Sequence, residues 1–335
     1  MYHKIMFMTS MMTGTLIAIS SYSWMGMWMG LEINLLSIIP LMSDTKNMMA
    51  SEAALKYFIT QALASTLLLF AIIMLSMNFQ YNLDTKIYFN LILNTSLLTK
   101  MGAAPFHFWF PKVIEGLNWT MTLIMLTWQK IAPMILLTYF NQNIPYLILT
   151  IIFSMMISGI MGLNQTSLRK IMAYSSINHI GWMLGTILVN ETIWLYYFII
   201  YTIISINIIL IFKTLNIYHI NQLHISMNYN SLVKFFFILN FLSLGGLPPF
   251  LGFFPKWITI QSLVQYEMYS LSFLMILMTL MTLYFYLRIT FATLLLKPSE
   301  ISYYQHPQIN NFMILTFNIL SLMGLIFSTI TFNYF

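Results

Sequence analysis

Apolar residues fill this chain in stretches of about 20, each long enough to cross a hydrocarbon core of about 30 Å as a helix, and short polar or turn-forming breaks part the stretches. The pattern predicts about eleven spans, at 5–21, 24–42, 56–78, 86–111, 117–139, 145–163, 170–189, 192–213, 234–264, 268–291 and 311–333. The expected fold is an all-α polytopic membrane protein, a single transmembrane domain over residues 1–335. Residues 1–10 carry one lysine and run into the first span without a small-residue cleavage site, so they read as its beginning rather than as a removed signal.

The fourth and ninth spans are too long and are interrupted. In the fourth, Lys100-Met101-Gly102-Ala103-Ala104-Pro105 closes one helical piece before Phe106-His107-Phe108-Trp109-Phe110-Pro111; in the ninth, Gly245-Gly246-Leu247-Pro248-Pro249 does the same before Phe250. Proline has no amide proton and clashes with the preceding turn. Such backbone is tolerated at membrane depth only where it is buried in protein or lines water. The two breaks resemble each other, because Pro105-Phe106 and Phe110-Pro111-Lys112 match Pro249-Phe250 and Phe254-Pro255-Lys256 at equal spacing. Counting spans makes the two copies run in opposite directions, and paired broken helices in inverted repeats point to an ion site near the midplane.

Sorting the flanking charges by side puts Lys4, Lys46, Lys56, Lys112, Arg169, Lys170, Lys213, Lys234 and Lys297 on one face and Lys86 alone on the other. The N-terminus is thus expected on the positive-inside face and Phe335 on the opposite one. Composition narrows the class further. Hydrophobic residues make up 59% of the chain and charged residues 7%, with a mean hydropathy of +0.81, whereas soluble domains carry about 25% charged residues. The net charge of +6 reads as basic loops that set topology and points away from nucleic acid. With no cysteine there are no thiolate-bound clusters or disulfides, and no glycine-rich nucleotide fingerprint follows a strand, so no redox cofactor of a recognisable type and no metal are expected in this chain.

Against that background four ionisable residues, Glu32, Lys100, Lys130 and Lys256, lie inside hydrophobic stretches. A charge at mid-bilayer costs roughly 2.5 to 3.5 kcal/mol on insertion scales, so such residues are expected to face a protein interior or water and to mark a proton or ion path. Glu32 lies 8 residues into the second span, about 12 Å deep at the helical rise, where a short side chain cannot snorkel. Lys130 lies about 13 residues into the fifth, beside Pro133, which loosens its helix. A carboxylate next to a buried lysine sets that lysine's proton affinity. The outline this suggests is a Glu32 and Lys100 switch, Lys130 as relay and Lys256 as exit site. His107, in the first break, and His179, in Ser175-Ser176-Ile177-Asn178-His179-Ile180-Gly181, are candidate relays because histidine titrates near neutrality. Glu52, Glu115, Glu191, Glu267, Glu300 and Arg288 read as solvated or headgroup-level charges.

Six blocks in order also carry a family resemblance: Trp28-Met29-Gly30-Leu31-Glu32-Ile33-Asn34; Glu52-Ala53-Ala54-Leu55-Lys56-Tyr57-Phe58-Ile59-Thr60-Gln61-Ala62; Lys100-Met101-Gly102-Ala103-Ala104-Pro105-Phe106-His107-Phe108-Trp109; Leu126-Thr127-Trp128-Gln129-Lys130-Ile131-Ala132-Pro133; Ala173-Tyr174-Ser175-Ser176-Ile177-Asn178-His179-Ile180-Gly181-Trp182; and Leu244-Gly245-Gly246-Leu247-Pro248-Pro249-Phe250 through Pro255-Lys256-Trp257. Over essentially its whole length the chain resembles the chain 2 family of antiporter-like membrane-arm subunits of NADH:ubiquinone oxidoreductase, respiratory complex I. Its excess of Met, Ile, Asn and Phe resembles mitochondrially encoded animal proteins, insect ones in particular.

The resemblance implies inverted five-helix repeats, the first at about 1–139 and the second at about 145–291, each with a broken helix, followed by a last helix at 311–333. It implies the longer bacterial form without its first three helices, seated in the inner mitochondrial membrane with the N-terminus on the matrix side and the C-terminus on the intermembrane-space side. Glu32, Lys100, Lys130 and Lys256 fall on the family's central hydrophilic axis. That axis couples NADH oxidation and ubiquinone reduction elsewhere in the complex to proton translocation. The chain would act as one subunit of a translocase, with NADH, FMN, iron–sulfur clusters and ubiquinone handled by other subunits. Its partners would be the other membrane-arm subunits, in a hetero-oligomer, together with membrane lipid. The repeat match pairs Lys112 with Lys256, while the family's first-half lysine is Lys100, so Lys112 is taken as interfacial. A stand-alone cation/proton antiporter of the same fold, and a scaffold that only holds the arm together, are the rival readings.

Overall fold

The computed structural model describes residues 2–44, 47–77, 83–140, 143–227 and 231–295, together with residues 316 and 318. Among the described residues the named elements are all helices, and six helical stretches are long and apolar enough to cross a membrane, so the chain is a multi-pass α-helical membrane protein. Lys46, Lys297, Glu300, Phe335 and, apart from residues 316 and 318, the span expected at 311–333 lie outside the described residues.

The chain divides into two compact units, Met1–Phe153 and Ser154–Phe335. The first holds α1 (Tyr2–Ser20), α2 (Trp24–Met42), α3 (Met48–Met77), α4 (Leu83–Met101), α5 (Trp109–Gly116), α6 (Trp119–Leu126) and α7 (Trp128–Tyr139), and α8 (Ile144–Gly162) straddles the boundary. The second holds α9 (Leu168–Val189), α10 (Glu191–Leu215), α11 (Ile220–Ser226), α12 (Ser231–Gly245), α13 (Phe253–Gln265) and α14 (Tyr269–Leu295). Helices are what lipid permits, because every backbone donor and acceptor must be satisfied within the segment.

Among the described residues the helices fall on the first ten expected spans with three differences, and the count of eleven is not established. The third helix begins at Met48, not near 56: Asn47 caps it by accepting the Met49 amide at 3.1 Å, and Glu52 and Lys56, read as flanking charges, form an i,i+4 pair at 2.6 Å on its first turns. A short helix, α11, occupies part of the segment read as loop, with the Gln222 side chain accepting the amides of Tyr218 and His219. The fifth span is two pieces, α6 and α7, parted at Thr127 (φ −114°, ψ −72°). There the Thr127 hydroxyl donates to Leu123 O at 2.7 Å beside the Thr127 amide at 3.0 Å, the Lys130 amide donates to Thr127 O at 3.2 Å, and Pro133 cannot donate to the carbonyl of Gln129 one turn back. Lys130 therefore sits in the first turn of α7 rather than in mid-helix.

In the first unit α1 lies hard against α2. A Cβ on Gly30 would come within 2.4 Å of the Ala18 backbone nitrogen, so glycine sets how closely these helices approach. Helices α2 to α5 then pack in succession around α3, and α4 packs on α7. The second unit is built around α9. Residues 171–187 are all buried, and α10, α13 and α14 pack against this helix. A helix enclosed on every side has no lipid-facing stripe, which leaves room for polar residues at its centre.

Candidate functional site

Each of the three lysines singled out in the sequence is buried and stands at a helix interruption. Lys100, 7% exposed, is in the last turn of α4; Lys130, 1% exposed, is in the first turn after the Thr127 break; Lys256, 6% exposed, is in the first turn of α13.

In the first unit Glu32 on α2 is half-buried and its charge acts on Lys100. The backbone carbonyl of Lys100 accepts a bond from the Gln61 side chain at 3.3 Å, which fixes the end of α4 against α3. The Lys130 amine stands 5.8 Å from the centre of the Phe110 ring of α5, within cation–π range. Beside both charged residues runs an amide pair the sequence reading missed. Asn34 donates to Gln129 Oε1 at 3.1 Å, Gln129 returns the bond to Asn34 Oδ1 at 2.9 Å, and the Tyr57 hydroxyl donates to Gln129 Oε1 at 3.4 Å. Asn34 lies two residues beyond Glu32 and Gln129 precedes Lys130, so this pair fixes α2 to α7 where the ionisable groups sit. The signal for it was there: two amides inside apolar spans, next to the charges. His107 is buried in the break, its Nδ1 3.3 Å from Pro105 O, with its ring tilted against Phe108.

In the second unit the Lys256 amine turns back on the end of α12 and donates to Leu244 O at 3.2 Å and Gly245 O at 2.9 Å. Helix C-termini present unpaired carbonyls and a partial negative charge, which suits an ammonium. Gly246 makes the space, because a Cβ there would lie 2.9 Å from the lysine nitrogen. The same amine is 5.9 Å from the Trp182 ring, three residues along α9 from His179. His179 Nδ1 is 2.8 Å from the Tyr197 hydroxyl, and its ring centre is 4.9 Å from that of Tyr201. Tyr201 bonds Ser176, and Asn178 donates to Thr282 at 3.2 Å, with the Tyr286 hydroxyl buried nearby. The second unit thus brings Lys256 and the helix of His179 together and surrounds α9 with hydroxyls that can accept and pass on protons. Tyr197, Tyr201 and Tyr286 escaped the sequence reading because each lies in a long aromatic-rich span where nothing in the spacing distinguishes an inward hydroxyl.

The two breaks share one backbone turn. Gly102 (φ 75°) donates to Thr99 O and Ala103 to Leu98 O; Gly246 (φ 78°) donates to Ser243 O and Leu247 to Leu242 O. Both are left-handed helix stops of the type glycine favours. A multi-pass helical protein with broken helices and lysines buried at the breaks is an antiporter-like membrane protein.

The family described as NADH:quinone oxidoreductase/Mrp antiporter, transmembrane, matches residues 21–282. NADH-ubiquinone oxidoreductase chain 2 of Aedes aegypti is 52% identical over 329 residues, 97% of this chain and 96% of that protein. The Anopheles gambiae protein of the same name is 49% identical over 326 residues, covering 96% and 95%. A chain from the structure of respiratory complex I from Thermus thermophilus superimposes with a TM-score of 0.88 at 22% identity, over 97% of this chain and 78% of that one, a likeness of fold. The chain belongs to the NADH:quinone oxidoreductase/Mrp antiporter family and, within it, to the NADH-ubiquinone oxidoreductase chain 2 proteins.

Proposed function

We propose that this chain is a proton-translocating membrane-arm subunit of respiratory complex I in the inner mitochondrial membrane, assembled with the other membrane-arm subunits. Glu32, Lys100, Lys130 and Lys256 form its proton path, with His107 and His179 as relays. The observation that carries this reading is that each buried lysine stands at a helix interruption. Charges are expensive at membrane depth, and broken helices supply the free backbone groups that offset part of the cost. Chain 2 relatives at about half identity favour a complex I subunit over a stand-alone antiporter.

Glu32 and Lys100 form the switch: a change in the field along the membrane arm shifts their mutual attraction and moves a proton on or off the lysine. Lys130 receives it, with Gln129, Asn34 and Tyr57 holding α7 and α2 in register. Lys256 is the exit group, held on the end of α12, with His179 and the tyrosines around α9 as relay. The chain itself contributes no redox centre; NADH, FMN, iron–sulfur clusters and ubiquinone are the business of other subunits. The N-terminus lies on the matrix side and the C-terminus on the intermembrane-space side, and the repeats at about 1–139 and 145–291 are inverted copies.

Lys130→Met tests the reading. The variant should assemble into the complex and lose NADH-driven proton translocation, measured in sealed vesicles. Normal translocation would leave a scaffold, and cation transport by the wild-type chain reconstituted alone would favour the stand-alone antiporter.

A further inference from the structure

A groove with a volume of about 390 Å³ opens on the outside of the first unit, between α3 and the break that leads into α5. Lys56 and Ile59 line one side, and Phe106, Phe108, Trp109 and Lys112 the other. Both lysines are exposed and Phe108 is 70% exposed. The Trp109 ring is fixed, since its indole nitrogen donates to Thr99 O at 3.1 Å and its ring meets Tyr57 edge-on at 5.7 Å. From the groove an outward apolar stripe continues down α3 through Ile59, Leu63, Leu67 and Phe70, all between 45% and 62% exposed. From Ile59 to Phe70 the stripe runs about 17 Å at the helical rise, close to one leaflet of a core about 30 Å thick.

We propose that this groove binds an anionic membrane phospholipid, its phosphate between Lys112 and Lys56 and one acyl chain along the α3 stripe. Two cations at one end, aromatic rings beside them and a leaflet-deep apolar track beyond reproduce the order of polar head, interface and chain in a lipid. An apolar helix from another protein would use the stripe but would bring no counter-charge to Lys112. Glu52 already takes one contact of Lys56, so Lys112 carries more of the headgroup. The far wall of the groove is the break that holds His107 and follows Lys100, so a bound lipid would brace the same segment that shapes the first lysine site.

Native membranes carrying the full chain, loaded with phosphatidylglycerol bearing a photoreactive acyl chain, provide the test, with phosphatidylcholine bearing the same chain as reference. Phosphatidylglycerol should label peptides holding residues 59–70 and 106–109 in preference to phosphatidylcholine. Lysines near an anionic surface contribute about fivefold each, so Lys112→Gln should lower the labelling about fivefold and K56Q/K112Q about 25-fold. The amount of folded chain should not change, because both side chains lie at the surface. Equal labelling by the two lipids, or labelling indifferent to both substitutions, would reduce the groove to ordinary lipid contact and overturn the proposal. Cross-linking of these peptides to another protein, with no lipid adduct, would overturn it in favour of a protein partner.

Discussion

The break between α4 and α5 and the break between α12 and α13 share a glycine turn and differ in chemistry. Gly102 and Gly246 adopt the same left-handed turn with the same pair of hydrogen bonds, and Pro105, Phe106, Phe110 and Pro111 recur at constant offset as Pro249, Phe250, Phe254 and Pro255. The buried lysine does not recur. At the offset that pairs the glycines, Lys100 faces Leu244, and Lys256 faces Lys112, which is exposed. Yet the Lys256 amine folds back onto the carbonyl of Leu244, the counterpart of Lys100. In both units a lysine ends at the close of the first half-helix, once by position and once by reach. In the second unit the end of α12 offers the carbonyls of Leu244 and Gly245 to the ammonium, whereas in the first Lys100 shares the position, the last turn of α4.

The difference is sharpest at the position after the prolines where one copy has glycine. A Cβ on Gly252 would stand 1.8 Å from the Ser243 carbonyl oxygen, while its counterpart in the first break is the exposed Phe108. Gly252→Ala must move backbone, a change of the kind that costs about 1–3 kcal/mol or more. It should have the largest effect of all, a marked loss of folded chain in membranes by quantitative immunoblotting. Phe108→Ala should leave that amount unchanged. Equal losses would mean that the two breaks are packed alike and the comparison is wrong.

The second prediction moves the lysine. Lys256→Leu alone should abolish proton translocation in the assembled complex. Adding Leu244→Lys places a lysine at the counterpart of Lys100, and the double variant L244K/K256L should regain a measurable part of the activity. If place matters only through the original stem of Lys256, no recovery will be seen and the idea of one site reached by two routes fails.

Much of this was legible in the chain. Prolines and glycines at 102–111 and 245–255 cannot lie in continuous helix, so both breaks followed from covalent structure. The buried lysines were legible because charge is so rare in this composition. The break at Thr127 was not, since threonine is common within membrane helices and a hydroxyl that shares Leu123 O with its own amide leaves no mark in the pattern of residues. Nor could spacing reveal that Lys256 reaches back to Leu244 O, because a long flexible stem does not announce its direction. The Asn34 and Gln129 pair joins residues far apart in sequence, and such contacts are written in packing rather than in periodicity.

The smallest expected effect tests whether the two turns are alike below the level of the lysines. Thr99 and Ser243 occupy matching positions, and each hydroxyl donates to the carbonyl three residues back, Ser96 O and Asn240 O, at 2.7 Å. The bonds that make the turns, Gly102 to Thr99 O and Gly246 to Ser243 O, are backbone and survive removal of either hydroxyl. Thr99→Ala and Ser243→Ala should therefore each cost about 0.5–1.5 kcal/mol, the net worth of one hydrogen bond. The check is the heating midpoint of the folded chain in detergent, and the two shifts should agree. Should Ser243→Ala instead leave that midpoint in place and impair proton translocation, its hydroxyl would belong to the path around Lys256, and the second turn would be a functional elaboration of the first rather than its copy.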